Sequence, residues 1–87
     1  MLPAAPTASP ARVAATVAAL LAGHGLTRIY TAACQLIAVI SVTAGLTAWT
    51  NGRQVWITHD GQRETWPAAR TQAAAARLAE LARPGTR

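Results

Sequence analysis

A chain of 87 residues can enclose one domain around one modest core. Eight basic residues, all arginine, stand against Asp60, Glu64 and Glu80, so the net charge is +5 and the natural partners are anionic: nucleic acid, acidic lipid or an acidic protein. The lone Cys34 excludes an intramolecular disulfide, and three carboxylates leave little room for paired acid–base chemistry.

Residues 1–8, with Pro3 and Pro6 among small side chains, read as a flexible tail. They lack the basic start and apolar run of a signal peptide, so the expected address is cytoplasmic. The domain is expected over 9–84. Ser9 as N-cap, Pro10 at the first helical position and Gly23 at the end bracket a helix over 10–22. Val13, Val17, Leu20 and Leu21 give that helix one apolar stripe. From Leu26 to Gln35 the pattern is ambiguous: Thr27 can cap a short second helix, or the segment can run extended.

The period then changes to two. Ile37 to Val42, Leu46 to Thr50 and Arg53 to Thr58 are strand-like runs, separated by Thr43-Ala44-Gly45 and by Asn51-Gly52. Asn-Gly between such runs is a strong hairpin signal. His59-Asp60-Gly61-Gln62 suggests a turn into a brief fourth strand, Arg63 to Trp66. Pro67 opens a last helical region whose core, Gln72 to Arg83, carries Ala74, Leu78, Leu81 and Ala82 on one face and stops at Pro84-Gly85. The fold class is therefore α+β: a three- or four-stranded antiparallel β-meander flanked by an N-terminal and a C-terminal helix.

A two-residue Asn51-Gly52 loop sets Thr50 opposite Arg53, Trp49 opposite Gln54, Ala48 opposite Val55 and Thr47 opposite Trp56. One face of the meander then carries Ala38, Ile40, Val42, Leu46, Ala48, Val55 and Ile57. The other carries Ile37, Val39, Ser41, Thr47, Trp49, Gln54, Trp56 and Thr58, with the two tryptophans diagonal to one another. Simple pairing around Asp60-Gly61 would put Glu64 on the aliphatic face, so the fourth strand is expected to be short, frayed or in another register. If both helices cover the aliphatic face, Trp49, Trp56, Ile37 and Val39 form an uncovered partner or dimer face. If the helices split between the faces, the tryptophans are core.

No Ser or Cys stands near a base in a recognisable motif, so the chain is not expected to be an enzyme, and no small-molecule substrate or cofactor is inferred. His24, Cys34 and His59 have no metal-ligand spacing, and Cys34 is expected as a small buried apolar residue. The absence of lysine and phenylalanine fits a G+C-rich codon bias, which weakens the argument from an all-arginine inventory to selection for phosphate contacts.

Two nucleic-acid routes remain. In one, helix, glycine turn and a second helix from Thr27 form a helix-turn-helix, and Arg28, Tyr30, Thr31 and Gln35 meet duplex DNA. In the other, Trp49 and Trp56 stack on bases while Arg53 and Arg63 meet phosphates. A homodimeric protein-interaction module is the alternative function. A small membrane protein with a span near 29–50 is the third, since Ile29 to Gly52 carries no charge. Trp66-Pro67-Ala68-Ala69 followed by Ala73 to Leu81, after a Trp-bearing hairpin, resembles short uncharacterised actinobacterial proteins across roughly the second half of the chain. The resemblance implies no activity.

Overall fold

The computed structural model describes residues 9–43 and 45–83; the expected tail over 1–8 and the Pro84-Gly85 stop lie outside them. Helix α1 spans Pro10–Gly23, with Ser9 accepting a hydrogen bond from the Arg12 N–H at 3.1 Å. Its end lies one residue beyond the expected one. The left-handed glycine is Gly25 (φ +91°), two residues after Gly23. Gly25 N–H donates to Ala22 O and Leu26 N–H donates to Leu21 O, the paired bonds of a Schellman cap. Leu26 then packs against the core beside the helix it closes.

Five strands follow in sequence order as one antiparallel meander: β1 (Tyr30–Ala33), β2 (Ala38–Thr43), β3 (Leu46–Thr50), β4 (Gln54–His59) and β5 (Gln62–Pro67). A short 3-10 turn (Ala68–Arg70) leads into helix α2 (Thr71–Ala82). The architecture is the α+β meander expected, with one strand more than the upper estimate. That extra strand is β1, which lies where the second helix was an alternative. Tyr30-Thr31-Ala32-Ala33 has no alternation of its own, and its extended form is held by pairing with Ser41-Ile40-Val39-Ala38.

The Asn51-Gly52 hairpin differs from expectation in register. Thr50 lies opposite Val55, Trp49 opposite Trp56, Ala48 opposite Ile57 and Thr47 opposite Thr58. The reason is local side-chain bonding. Asn51 Oδ1 accepts from the N–H groups of Arg53 and Gln54, both at 2.9 Å, while the buried Thr50 hydroxyl donates to Gln54 O at 2.7 Å. These bonds favour a wider loop over the two-residue turn. The slip is two residues, an even number, so every side chain keeps its expected face. The tight turn occurs instead at Asp60-Gly61, where both residues take positive φ (+51° and +77°), as a type I′ hairpin requires.

That turn gives β5 a full ladder with β4, from His59 opposite Gln62 to Gln54 opposite Pro67. The expectation of a frayed or shifted fourth strand is thereby corrected. Glu64 does stand opposite Ile57 on the aliphatic side, but it meets Arg77 of α2 in a forked pair with contacts of 2.7, 3.0 and 3.1 Å. Arg77 also reaches Glu80 at 2.9 Å.

The Arg77 guanidinium holds the Glu64 carboxyl below its ordinary value. A depressed carboxyl stabilises the fold above the unfolded-state range and loses that contribution as pH falls through the folded-state value. Glu64→Gln should therefore be less stable than the parent at neutral pH and converge with it in acid, as followed by thermal melts at a series of pH values. The difference should be small, because about a third of each side chain (35%/35%) stays exposed and solvent screens the pair.

Both helices lie on the same side of the sheet. Val13, Ala14, Val17 and Leu21 of α1, and Ala74, Ala75, Leu78 and Ala79 of α2, form one buried cluster with Ala38, Ile40, Val42, Leu46, Ala48, Val55 and Ile57. Each helix packs on the strands and on the other helix. Alanine on both sides of the contact lets backbones approach closely, so two short helices can share one small sheet face. The arrangement with one helix on each face is thereby ruled out.

Candidate functional site

With the helices on one side, the other face of the sheet carries no described element. Its central row runs Ala32, Val39, Trp49, Trp56, Thr65 across the strands. The next row runs Tyr30, Ser41, Thr47, Thr58, Arg63. Trp49 and Trp56 are directly opposite, not diagonal, because of the two-residue slip. Trp49 is 38% exposed, whereas Trp56 is half-buried among its neighbours.

Ile37, Trp49, Trp56, Thr58 and Arg63 line a shallow recess of about 280 Å³ on this face. Four of those five were expected as site residues from the sequence. Thr58 shares the face by strand parity, and its hydroxyl donates to Thr47 O across the hairpin at 3.1 Å, which ties β4 to β3 beneath the recess. The parity of the strand was the only available signal for it.

Of the arginines expected at this site, only Arg63 shares the tryptophan face by strand parity. Arg63 shares the row beyond the tryptophans, two residues along the strand direction from Thr65 opposite Trp56. Arg53 lies in the β3–β4 loop at the opposite end, three residues before Trp56, exposed and with its carbonyl accepting from Ala68 N–H at 2.8 Å. Along the strand direction the tryptophan pair lies between the level of Arg63 and that of the loop holding Arg53. Val39 stands beside Trp49 as expected.

No carboxylate lines the recess. Glu64 is on the helix-covered face, Glu80 is on α2, and Asp60 is in the β4–β5 turn, 3.6 Å from His59 Nε2. An anion at the recess would meet Arg63 without local repulsion from an acid lining the same surface.

The remaining expected residues fall elsewhere. Tyr30 is 69% exposed at the far edge of the Arg63 row, four strands away, or roughly 19 Å at the usual inter-strand spacing. Arg28 is exposed in the segment before β1. Neither lies on a helix, so the helix-turn-helix geometry that grouped them is absent: residues 26–29 form no helix and lead into β1. Cys34, expected to be buried, is exposed at the β1–β2 turn.

Among the described residues no three His, Cys, Asp or Glu side chains are grouped to hold a metal ion. Nor is any described helix long and apolar enough to cross a membrane; the uncharged stretch from Ile29 to Thr50 is largely the first three strands. Comparisons of the chain with protein-family models, with curated proteins and with solved structures find no match.

Proposed function

We propose that this is a small basic binding protein, not an enzyme, and that its helix-free sheet face holds single-stranded nucleic acid. The observation that carries this reading is the Trp49–Trp56 pair in a recess lined by Arg63 and by no carboxylate. Two indoles on adjacent strands offer π-faces that accept any base, at about 1–3 kcal/mol per stacked base. Arg63 on one side of the pair and Arg53 on the other supply charge to the phosphates of a strand crossing it. The flanking Thr47, Thr58 and Ser41 are hydroxyl donors and acceptors suited to sugar and base edges.

Duplex recognition through Arg28 and Tyr30 loses its support with the second helix replaced by β1. Dry self-packing of the Trp face is favoured by Ile37 and Val39 and opposed by the hydroxyl-rich row beside them.

A fluorescence titration with an oligothymidine at low salt tests the reading. Binding should weaken linearly on a log–log scale as salt rises, at about 0.7 in slope per phosphate neutralised on a single strand. Arg63→Ala and Arg53→Ala should each weaken binding and lower that slope by about 0.7. Absence of binding at low salt would remove nucleic acid as the partner. Unchanged slopes would remove the two arginines from the interface.

A further inference from the structure

The two edges of the sheet are built differently. On β5 the outermost strand carries Arg63, Glu64 and Pro67, and Glu64 is tied to α2 through Arg77. Charges, proline and cover are the devices by which edge strands avoid pairing with other chains. On β1 there is neither charge nor proline, and α1 packs near the strand without burying it. All four residues of Tyr30-Thr31-Ala32-Ala33 are exposed, including Thr31 and Ala33 on the side where the helices lie. No other described element pairs with its outer edge.

The direction of its backbone groups follows from the turn. Cys34 N–H donates to Ile37 O at 2.9 Å, so Cys34 directs its backbone toward β2. Backbone direction alternates along a strand, so Ala32 and Tyr30 also face β2, while Thr31 and Ala33 present their N–H and C=O groups outward. Four hydrogen-bonding groups therefore line the open edge.

We infer that this edge pairs with a second copy of the chain: two β1 strands lie antiparallel across a two-fold axis and join two five-stranded sheets into one. Three features select a copy of the same chain. A short antiparallel strand is its own complement; with Ala32 on the axis, Thr31 meets the copy's Ala33 at both ends of the seam and all four outward groups are satisfied. From Ile29 to Gly52 the chain has no charged residue, so two molecules of net charge +5 bring no like charges into the seam itself. The guarded β5 edge cannot accept a third molecule, so assembly closes at two and does not grow into a fibre.

Such an axis stands normal to the sheet and keeps each face on its own side. Both tryptophan pairs then lie on one continuous ten-stranded surface, with both helix layers behind it. The dimer does not depend on what that surface binds.

Gel filtration with light scattering over a wide range of protein concentration tests the inference, without added nucleic acid. The parent should reach twice the chain mass of 9.0 kDa. Thr31→Pro deletes an outward N–H without touching the β2 ladder, and Thr31→Lys places a charge on the edge; each should give the monomer mass with an unchanged circular dichroism spectrum. If Thr31→Pro perturbs folding, Thr31→Lys decides by itself. Trp49→Thr with Trp56→Thr should remain dimeric. A parent that is monomeric at every concentration overturns the inference. So does a dimer that survives both Thr31 variants, or one lost only in the tryptophan variant, which would place the interface on the open face.

Discussion

Replacing Trp49 and Trp56 together by Thr should abolish tight binding of single-stranded nucleic acid while leaving the domain folded. Both side chains lie on the face opposite the buried cluster, and neither belongs to it. Threonine suits a strand, and a cross-strand Thr–Thr pair retains part of the local stabilisation. Loss of two stacking platforms at about 1–3 kcal/mol each corresponds to a drop in affinity of roughly 30-fold or more. Trp66 remains as a reporter, because it packs against the core from β5 and its emission follows folding in the variant. An unfolded double variant would show that the pair is structural. A folded variant with undiminished affinity would take the nucleic acid off this face.

The opposite result is expected on the other side of the sheet. Leu78→Ala should destabilise the domain by about 2–5 kcal/mol, through lost transfer energy and the cavity left behind. Leu78 is 0% exposed and lies in α2 among the side chains shared by both helices and the sheet. In a domain this small each kcal/mol lowers the melting temperature by about 4–8 °C, so the melt should shift by roughly 10 °C or more. Gln72→Ala, an exposed change on the same helix, should stay within about 0.5 kcal/mol of the parent. A Leu78→Ala melt indistinguishable from that of Gln72→Ala would mean that α2 does not close the core as described.

These two experiments probe the feature most legible in the chain, the division of side chains between the two faces. Strand parity is a local property: alternate residues point to opposite sides whatever the partner strand does. Val55 and Ile57 were therefore assignable to the core, and Trp49 and Trp56 to the other face, even though the expected Asn-Gly register was two residues out. The helix boundaries were equally local. Ser9 and Pro10 start α1 through bonds within one turn of chain, and the apolar stripe containing Val13 and Val17 marks its buried face.

Other features depended on groups distant in sequence. Tyr30–Ala33 carries no pattern that distinguishes strand from short helix, and it is extended because β2 offers a ladder beside it. Glu64 looked misplaced on the aliphatic face because its partner Arg77 lies 13 residues later, on a helix whose position is a tertiary matter. The Asn51-Gly52 loop is wider than the two-residue turn its sequence signals, because Asn51 Oδ1 and the Thr50 hydroxyl bond the backbone of residues 53 and 54. By itself the sequence determined which residues alternate, where α1 begins, and that the chain is basic. Only the tertiary structure decided that both helices cover one face, because that depends on the small side chains of α2 (Ala74, Ala75, Ala79) letting it pack beside α1 on the same sheet, and this is what leaves the tryptophan face open.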